Sequence, residues 1–218
     1  MRTIDTNEIS NLRPVPGAAA DWYYGIDYKY GDLYEAEEIF KKGLPLKGRK
    51  FCLVHYPDGT AYFPLPREEG RYCGDPVYYD GCIYLLNVDF CKERIQIICF
   101  DAVDHETELH AELPLSSVKD CYNLSLQISP LTLTRQCVGS NEFEIVWPER
   151  VHLYMEDHDS FFLRDNGKLF FNRWHEEGEG EDYRYWEETV VKDLDGNVLE
   201  ILPGDVMMMP DGEIWYLK

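Results

Sequence analysis

Five Asp-Gly or Asn-Gly turns punctuate the chain, and the intervals between them constrain its fold more than any other feature. They are Tyr56-Pro57-Asp58-Gly59, Tyr79-Asp80-Gly81, Asp165-Asn166-Gly167, Leu194-Asp195-Gly196 and Pro210-Asp211-Gly212. Each sits between runs of β-branched and aromatic residues, the pattern of a tight hairpin. Gly81 and Gly167 are 86 residues apart, two steps of 43, and Gly167 and Gly212 are 45 apart. Leu65-Pro66, Leu113-Pro114 and Leu202-Pro203 close three strand-like runs at intervals of 48 and 89 residues, so a second marker keeps nearly the same step.

A step of about 40–50 residues built only from strands predicts propeller blades, each of four antiparallel strands. One blade is expected over 75–115, with strands at 75–79, 82–88, 94–101 and 107–115. A shorter, divergent copy spans 122–156, with strands at 123–128, 131–137, 142–147 and 151–155. A further blade runs from 160 to 203, with strands at 160–164, 168–174, 183–192 and 197–202. Residues 50–56 and 60–65 offer two strands at one end, and 206–209 and 213–217 offer two at the other. Joined as one shared blade, these would close the ring and remove its exposed edges. The expected fold class is therefore all-β, a four-bladed β-propeller over residues 49–218 closed by pairing N- and C-terminal strands. Residues 1–48 are expected to form an N-terminal extension. There Asp32 and Glu35 have capping-box spacing, Leu33, Ala36 and Phe40 share a helical face, and Gly43 can end the helix, predicting a helix over 32–42. The aromatic run at 21–30 is expected to pack on the propeller.

Composition narrows the function. The 218 residues carry 41 Asp and Glu against 21 Lys and Arg, a net charge of −20. Such a chain has no excess of cations with which to displace the counterions of a nucleic acid, so no nucleic-acid partner is expected. With 44% hydrophobic and 14% aromatic residues it is also too apolar for a disordered acidic tract. No stretch approaches the roughly 20 apolar residues of a membrane span. Residues 1–16 lack the apolar middle of a secretion signal, so a cytoplasmic protein without a membrane partner is expected. Seven cysteines, none in a C-x-x-C pair, read as small buried hydrophobes rather than as disulfides or a zinc ribbon.

The chain has no nucleophile elbow, phosphate-cradling glycine loop or dinucleotide fingerprint, and no catalytic set or cofactor is expected. His105-Glu106-Thr107-Glu108-Leu109-His110 is one residue too long for the zinc helix H-E-x-x-H, and its histidines should diverge across a hairpin turn. The stretch from Trp174 to Glu188 concentrates acids and rings, including Trp174, His175, Glu176 and Glu177. It could present carboxylates and aromatic faces to a sugar or a cationic ligand. The plainer alternative is a solvated hairpin tip whose Trp174 and Trp186 pack between blades. His158, flanked by Asp157 and Asp159, is the strongest candidate for a titrating group, and neighbouring carboxylates favour its imidazolium. Arg71 and Tyr72 lie on another loop of the face that propellers use for binding. A cation held by backbone carbonyls in the axial channel would suit so acidic a chain.

The repeat order, Asp-Gly hairpins and ring closure resemble four-bladed β-propellers, of which hemopexin-like domains are the best-known members; the likeness covers about residues 50–218 and is architectural. His55-Tyr56-Pro57-Asp58-Gly59, Asp120-Cys121-Tyr122-Asn123-Leu124 and Tyr185-Trp186-Glu187-Glu188 are similar to an uncharacterised group of bacterial proteins. Neither resemblance implies a functional residue. The function expected is a non-enzymatic binding or protein-interaction module whose acidic, aromatic-bearing face takes a protein or a small polar ligand. The alternatives are a carbohydrate-active enzyme using carboxylates among Asp157, Asp159, Glu176 and Glu177, and an oligomeric structural protein joined through residues 21–42.

Overall fold

The computed structural model describes residues 1–19, 21–27, 29, 31–209 and 213–217, and the expected Pro210-Asp211-Gly212 turn lies outside them. The chain is mostly β, and its four small sheets take the arrangement of a four-bladed β-propeller. Two compact units divide it, one built on Met1–Leu126 and the other on Gln127–Met209 with Glu213–Lys218.

In the first unit, β1 (Arg13–Pro14), β2 (Trp22–Ile26), β3 (Phe51–His55) and β4 (Ala61–Tyr62) form a sheet in chain order, with α1 (Leu33–Lys41) between β2 and β3. The second sheet holds β5 (Arg71–Cys73), β6 (Val77–Tyr79), β7 (Cys82–Asp89), β8 (Arg94–Asp101) and β9 (Thr107–Pro114). β5 pairs with residues 87–89 and β6 with residues 82–84 of β7, so one edge position is filled by a strand in two pieces. The break falls at Gly74-Asp75-Pro76, where proline has no N–H to give to the ladder. Trp22, Tyr24, Ile26, Phe51 and Leu53 from the first sheet bury against Ile83, Leu85 and Phe100 of the second.

Helix α1 forms where the sequence placed it. The Asp32 side chain accepts from the Glu35 N–H and the Glu35 side chain from the Asp32 N–H, completing the capping box. Leu33 and Ala36 are buried, and the Phe40 ring stacks on Phe90 at 5.6 Å. Glu37 is buried too, an outcome its charge did not suggest. It accepts a hydrogen bond from the Cys121 N–H at 2.7 Å and pairs with Lys41 at 3.0 Å. A buried acid is tolerable only with such partners.

The third sheet comprises β10 (Ser125–Gln127), β11 (Thr132–Cys137), β12 (Glu142–Trp147) and β13 (Val151–Tyr154). The fourth comprises β14 (Asp159–Asp165), β15 (Lys168–Glu177), β16 (Arg184–Lys192) and β17 (Val198–Pro203), and β18 (Asp205–Met208) and β19 (Ile214–Leu217) form a separate hairpin. Phe143, Ile145, Leu153 and Met155 of the third sheet's strands and the loop after them pack on Leu169, Phe171 and Val190 of the fourth. Asp80-Gly81 and Asn166-Gly167 both hold positive φ at each turn position, the two-residue hairpin signalled by sequence.

The closure differs from expectation. β3 pairs with β2 on one side and β4 on the other, whereas β19 pairs with β18, so among the described residues the first sheet consists of N-terminal strands and the tail strands pair with each other. Within the aromatic run, Trp22–Ile26 is itself one of the propeller's strands rather than a segment packed on it. Trp22, Tyr24 and Ile26 are buried to 5% exposure or less, while Trp215 and Leu217 of β19 stay more than 40% exposed, and local patterning does not separate the two strands because both are rich in aromatic residues. Among the described residues no helix is long and apolar enough to cross a membrane.

If the contact between the third and fourth sheets carries the second unit, Phe171→Ala should cost about 3–5 kcal/mol in urea denaturation. Val198→Ala, on the exposed edge strand β17, should change stability by less than about 0.5 kcal/mol. Equal effects from the two would contradict this assignment of the core.

Candidate functional site

Strands β15 and β16 outrun the sheet that contains them. Their mutual ladder extends from Leu169↔Lys192 to Glu177↔Arg184. On the β15 side, pairing with β14 stops at Asp159↔Arg173, and on the β16 side, pairing with β17 stops at Glu188↔Pro203. Residues 174–177 and 184–186 consequently form a two-stranded ribbon with no further ladder partner among the described residues. Exposure follows this topology: Val190 and Val191 are buried, whereas Glu176, Glu177, Arg184, Tyr185 and Trp186 are exposed.

A two-stranded ribbon is marginal in water unless its side chains support it. Alternation along each strand places Trp174, Glu176, Tyr185 and Glu187 on one face, and His175, Glu177, Arg184, Trp186 and Glu188 on the other. On the first face the His158 ring lies on Trp174 at 3.7 Å and 18°, and Trp174 lies nearly parallel to Tyr185 at 6.5 Å. Glu176 accepts from the Tyr183 hydroxyl at 3.1 Å and Glu187 from the Tyr185 hydroxyl at 2.6 Å. Each hydrogen bond to a carboxylate holds the proton on its phenol, raising the pKa of Tyr183 and Tyr185. On the second face His175 stacks on Trp186 at 4.9 Å and 10°, and its Nε2 lies 3.0 Å from Glu188. Cross-strand ring and ion pairs of this kind each contribute roughly 0.2–1 kcal/mol to a ladder.

An ion cluster fixes the root of the ribbon. Asp159 is 4% exposed. Its Oδ1 accepts from Arg173 Nε at 2.6 Å, and its Oδ2 from Arg173 Nη2 at 3.1 Å and Lys192 Nζ at 2.9 Å. The Glu156 N–H adds a fourth donor at 3.2 Å. Burial by itself would raise the Asp159 pKa, but the hydrogen bonds and charges of Arg173 and Lys192 together outweigh it and hold the carboxyl below its ordinary value. Lys192, equally buried, also sits 4.8 Å over the Phe171 ring.

These positions redistribute the residues expected to bind. Trp174, His175, Glu176, Glu177 and His158 come together on and beside the ribbon. Asp159, expected on the surface next to His158, instead points inward with both oxygens occupied. His158 takes a left-handed turn conformation, φ 69°, that lays its ring on Trp174, and Asp157 accepts from Asn141 Nδ2 at 2.8 Å. Trp186 does not pack between blades; it lies 39% exposed on the ribbon. Tyr72 is a core residue of the first unit, 1% exposed, its hydroxyl donating to the Gly31 carbonyl at 2.6 Å and its ring covered by Arg49 at 4.3 Å. Arg71 is held by Asp89 at 3.0 Å and Glu68 at 2.8 Å. Both belong to strand β5 rather than to a loop: Tyr72 is buried there, and Arg71 stays partly exposed with its guanidinium on two carboxylates. Sequence reading gave little weight to Tyr183, Tyr185 and Glu187, whose alternation with Trp174 and Glu176 across the turn was the available signal.

The other candidates resolve simply. His105 packs on Tyr62 at 4.5 Å and His110 on Tyr84 at 5.0 Å, so the two histidines diverge as expected. No group of three or more His, Cys, Asp or Glu side chains able to hold a metal occurs among the described residues. Burial pushes the Cys52 thiol up to about 11 and the Cys73 thiol to about 12, as suits inert core residues. A cleft of about 380 Å³ beside Lys92 and Arg94 has its cations drawn to Asp89 and Glu112.

Asp159→Asn should destabilise the protein by about 3–5 kcal/mol, because it strands Arg173 and Lys192 without their counter-charge. The folded Asp159 pKa is depressed, so its contribution is fully present above the unfolded value near 4 and fades as pH falls through the lower folded value. Urea titrations should accordingly give a constant gap between the two proteins from about pH 5 to 8, narrowing below about pH 4. A gap unchanged at low pH would remove the ion cluster from the account.

No family model matches the chain, and no curated protein is found similar to it.

Proposed function

We propose that this chain is a binding or protein-interaction module, and that the acidic, aromatic ribbon of β15 and β16 is the surface it presents. The observation that carries this reading is topological: the ribbon leaves its sheet on both edges exactly where rings and carboxylates are densest, exposing Tyr183 and Tyr185 by half and Trp186 by 39%. Exposed aromatic rings offer a large contact area with few side-chain torsions to order on binding. Supporting a binding role over turnover, two of the four carboxylates that glycoside chemistry would draw on are engaged in other contacts. Asp159 is held below the surface by Arg173 and Lys192, and Asp157 accepts from Asn141. Seven unpaired cysteines accord with a reducing, cytoplasmic setting.

Calorimetric titration against neutral oligosaccharides and short peptides, followed by chromatography of each mixture, tests the reading. The full chain should bind at least one compound, lose tenfold or more in affinity with Tyr185→Ala plus Trp186→Ala, and return the compound unchanged. Equal binding by the variant removes the ribbon from the function, and a cleaved compound would replace binding by catalysis.

A further inference from the structure

Resting on the ribbon as the binding element, we infer that its Trp174–Tyr185 face docks an extended, arginine-bearing segment of a partner protein. Charge complementarity selects the occupant. Residues 174–188 hold seven carboxylates and a single arginine, on a chain of net charge −20. The two faces share this charge unequally. On the second face Glu177 lies opposite Arg184 in the ladder and Glu188 is 3.0 Å from His175. On the first face Glu176 stands opposite Tyr185 and Glu187 opposite Trp174, so neither carboxylate has a cation across the ladder. Their contacts are phenol hydroxyls, which leave lone pairs on each carboxylate for further donors.

The rings discriminate between kinds of cation. Trp174 and Tyr185 lie nearly parallel at 6.5 Å on the diagonal between the two carboxylates, and His158 lies face to face on Trp174 at 3.7 Å, so the exposed rings of this face are those of His158 and Tyr185. A guanidinium can lie flat on such a face and still direct its N–H groups sideways to a carboxylate. An ammonium group is a compact point charge that makes the ionic contact without the planar stack. The β15 edge at residues 174–177, beyond its last rung with β14, admits an extended backbone alongside, so alternate side chains of a bound segment would meet the same face. A neutral sugar could use the rings but would leave Glu176 and Glu187 without a counter-charge.

Calorimetry with an alternating Arg-Gly decapeptide, its Lys-Gly and Glu-Gly counterparts and a neutral oligosaccharide tests this. The Arg-Gly peptide should bind most tightly, several-fold better than Lys-Gly, and weaken as salt rises. Its affinity should fall tenfold or more with Glu176→Gln plus Glu187→Gln, and separately with Trp174→Ala plus Tyr185→Ala. The glutamines keep acceptors for the tyrosine hydroxyls, so the first pair preserves the ribbon's own contacts, and circular dichroism should match the parent. Glu106→Gln plus Glu108→Gln, the same charge change at exposed positions of the first unit, should alter affinity less than twofold. An equal loss from that control would reduce the effect to the diffuse field of an acidic protein. Absence of Arg-Gly binding, or equal binding of Arg-Gly and Lys-Gly that ignores the ring variants, would overturn the inference. If the oligosaccharide alone bound through the ribbon, the arginine-docking inference would fail while the binding-module reading stood.

Discussion

Each sheet of this protein has an apolar face that cannot be left to water. That constraint organises the chain. Four-stranded sheets with apolar residues on their inner strands must bury one face against a neighbour, and Phe143 against Phe171, their rings edge-on at 5.4 Å, shows how closely consecutive sheets of the second unit meet. In the first unit Trp22, with Tyr62 and Phe100 within 5.6 Å, does the equivalent work. The alternation of buried and exposed positions, the strand lengths and the recurrence of about 43–48 residues are consequences of repeating one such packing unit.

Against that background the β15–β16 ribbon stands out because it escapes the constraint. Its basal half is sealed by Phe171, Val190 and the Asp159 cluster, while its distal half has water on its faces. The cluster makes the escape possible. Asp159 and Arg173 are the last rung of the β14–β15 ladder, and their bidentate contact with Lys192 beneath anchors the strands at the point where the third partner ends. Rigidity at the root and exposed rings beyond it are the combination expected of a recognition element borne by a scaffold.

Residue type alone misassigns several charged side chains here. Asp159 and Glu176 are both acids near aromatic residues in the sequence, yet one closes a buried ion cluster and the other faces solvent. Glu37 and Arg49, ordinary surface residues by composition, are both interior. Glu37 satisfies the Cys121 N–H, and Arg49 donates to the carbonyls of Cys73 and Asp27. These hydrogen-bond partners lie 84, 24 and 22 residues away, so no local pattern announces them.

The sequence by itself determined the local order of the molecule. Asp80-Gly81 and Asn166-Gly167 specify two-residue hairpins through their tolerance of positive φ, Asp58-Gly59 and Asp195-Gly196 lie in longer loops, and the β-branched and aromatic runs became β6–β9 and β10–β17 within a few residues of their expected bounds. Asp32 and Glu35 likewise determined where α1 begins. Tertiary structure alone decided which strands share a sheet at the chain's start, because β2 and β19 carry similar aromatic, strand-forming residues and local pattern does not choose between them as partners of β3. It also decided that Tyr72 is core, that Asp159 is a counter-ion and that Trp174 and Tyr185 share a face beyond the end of the sheet. Those outcomes depend on where neighbouring ladders stop, a long-range property that spacing along one chain does not encode.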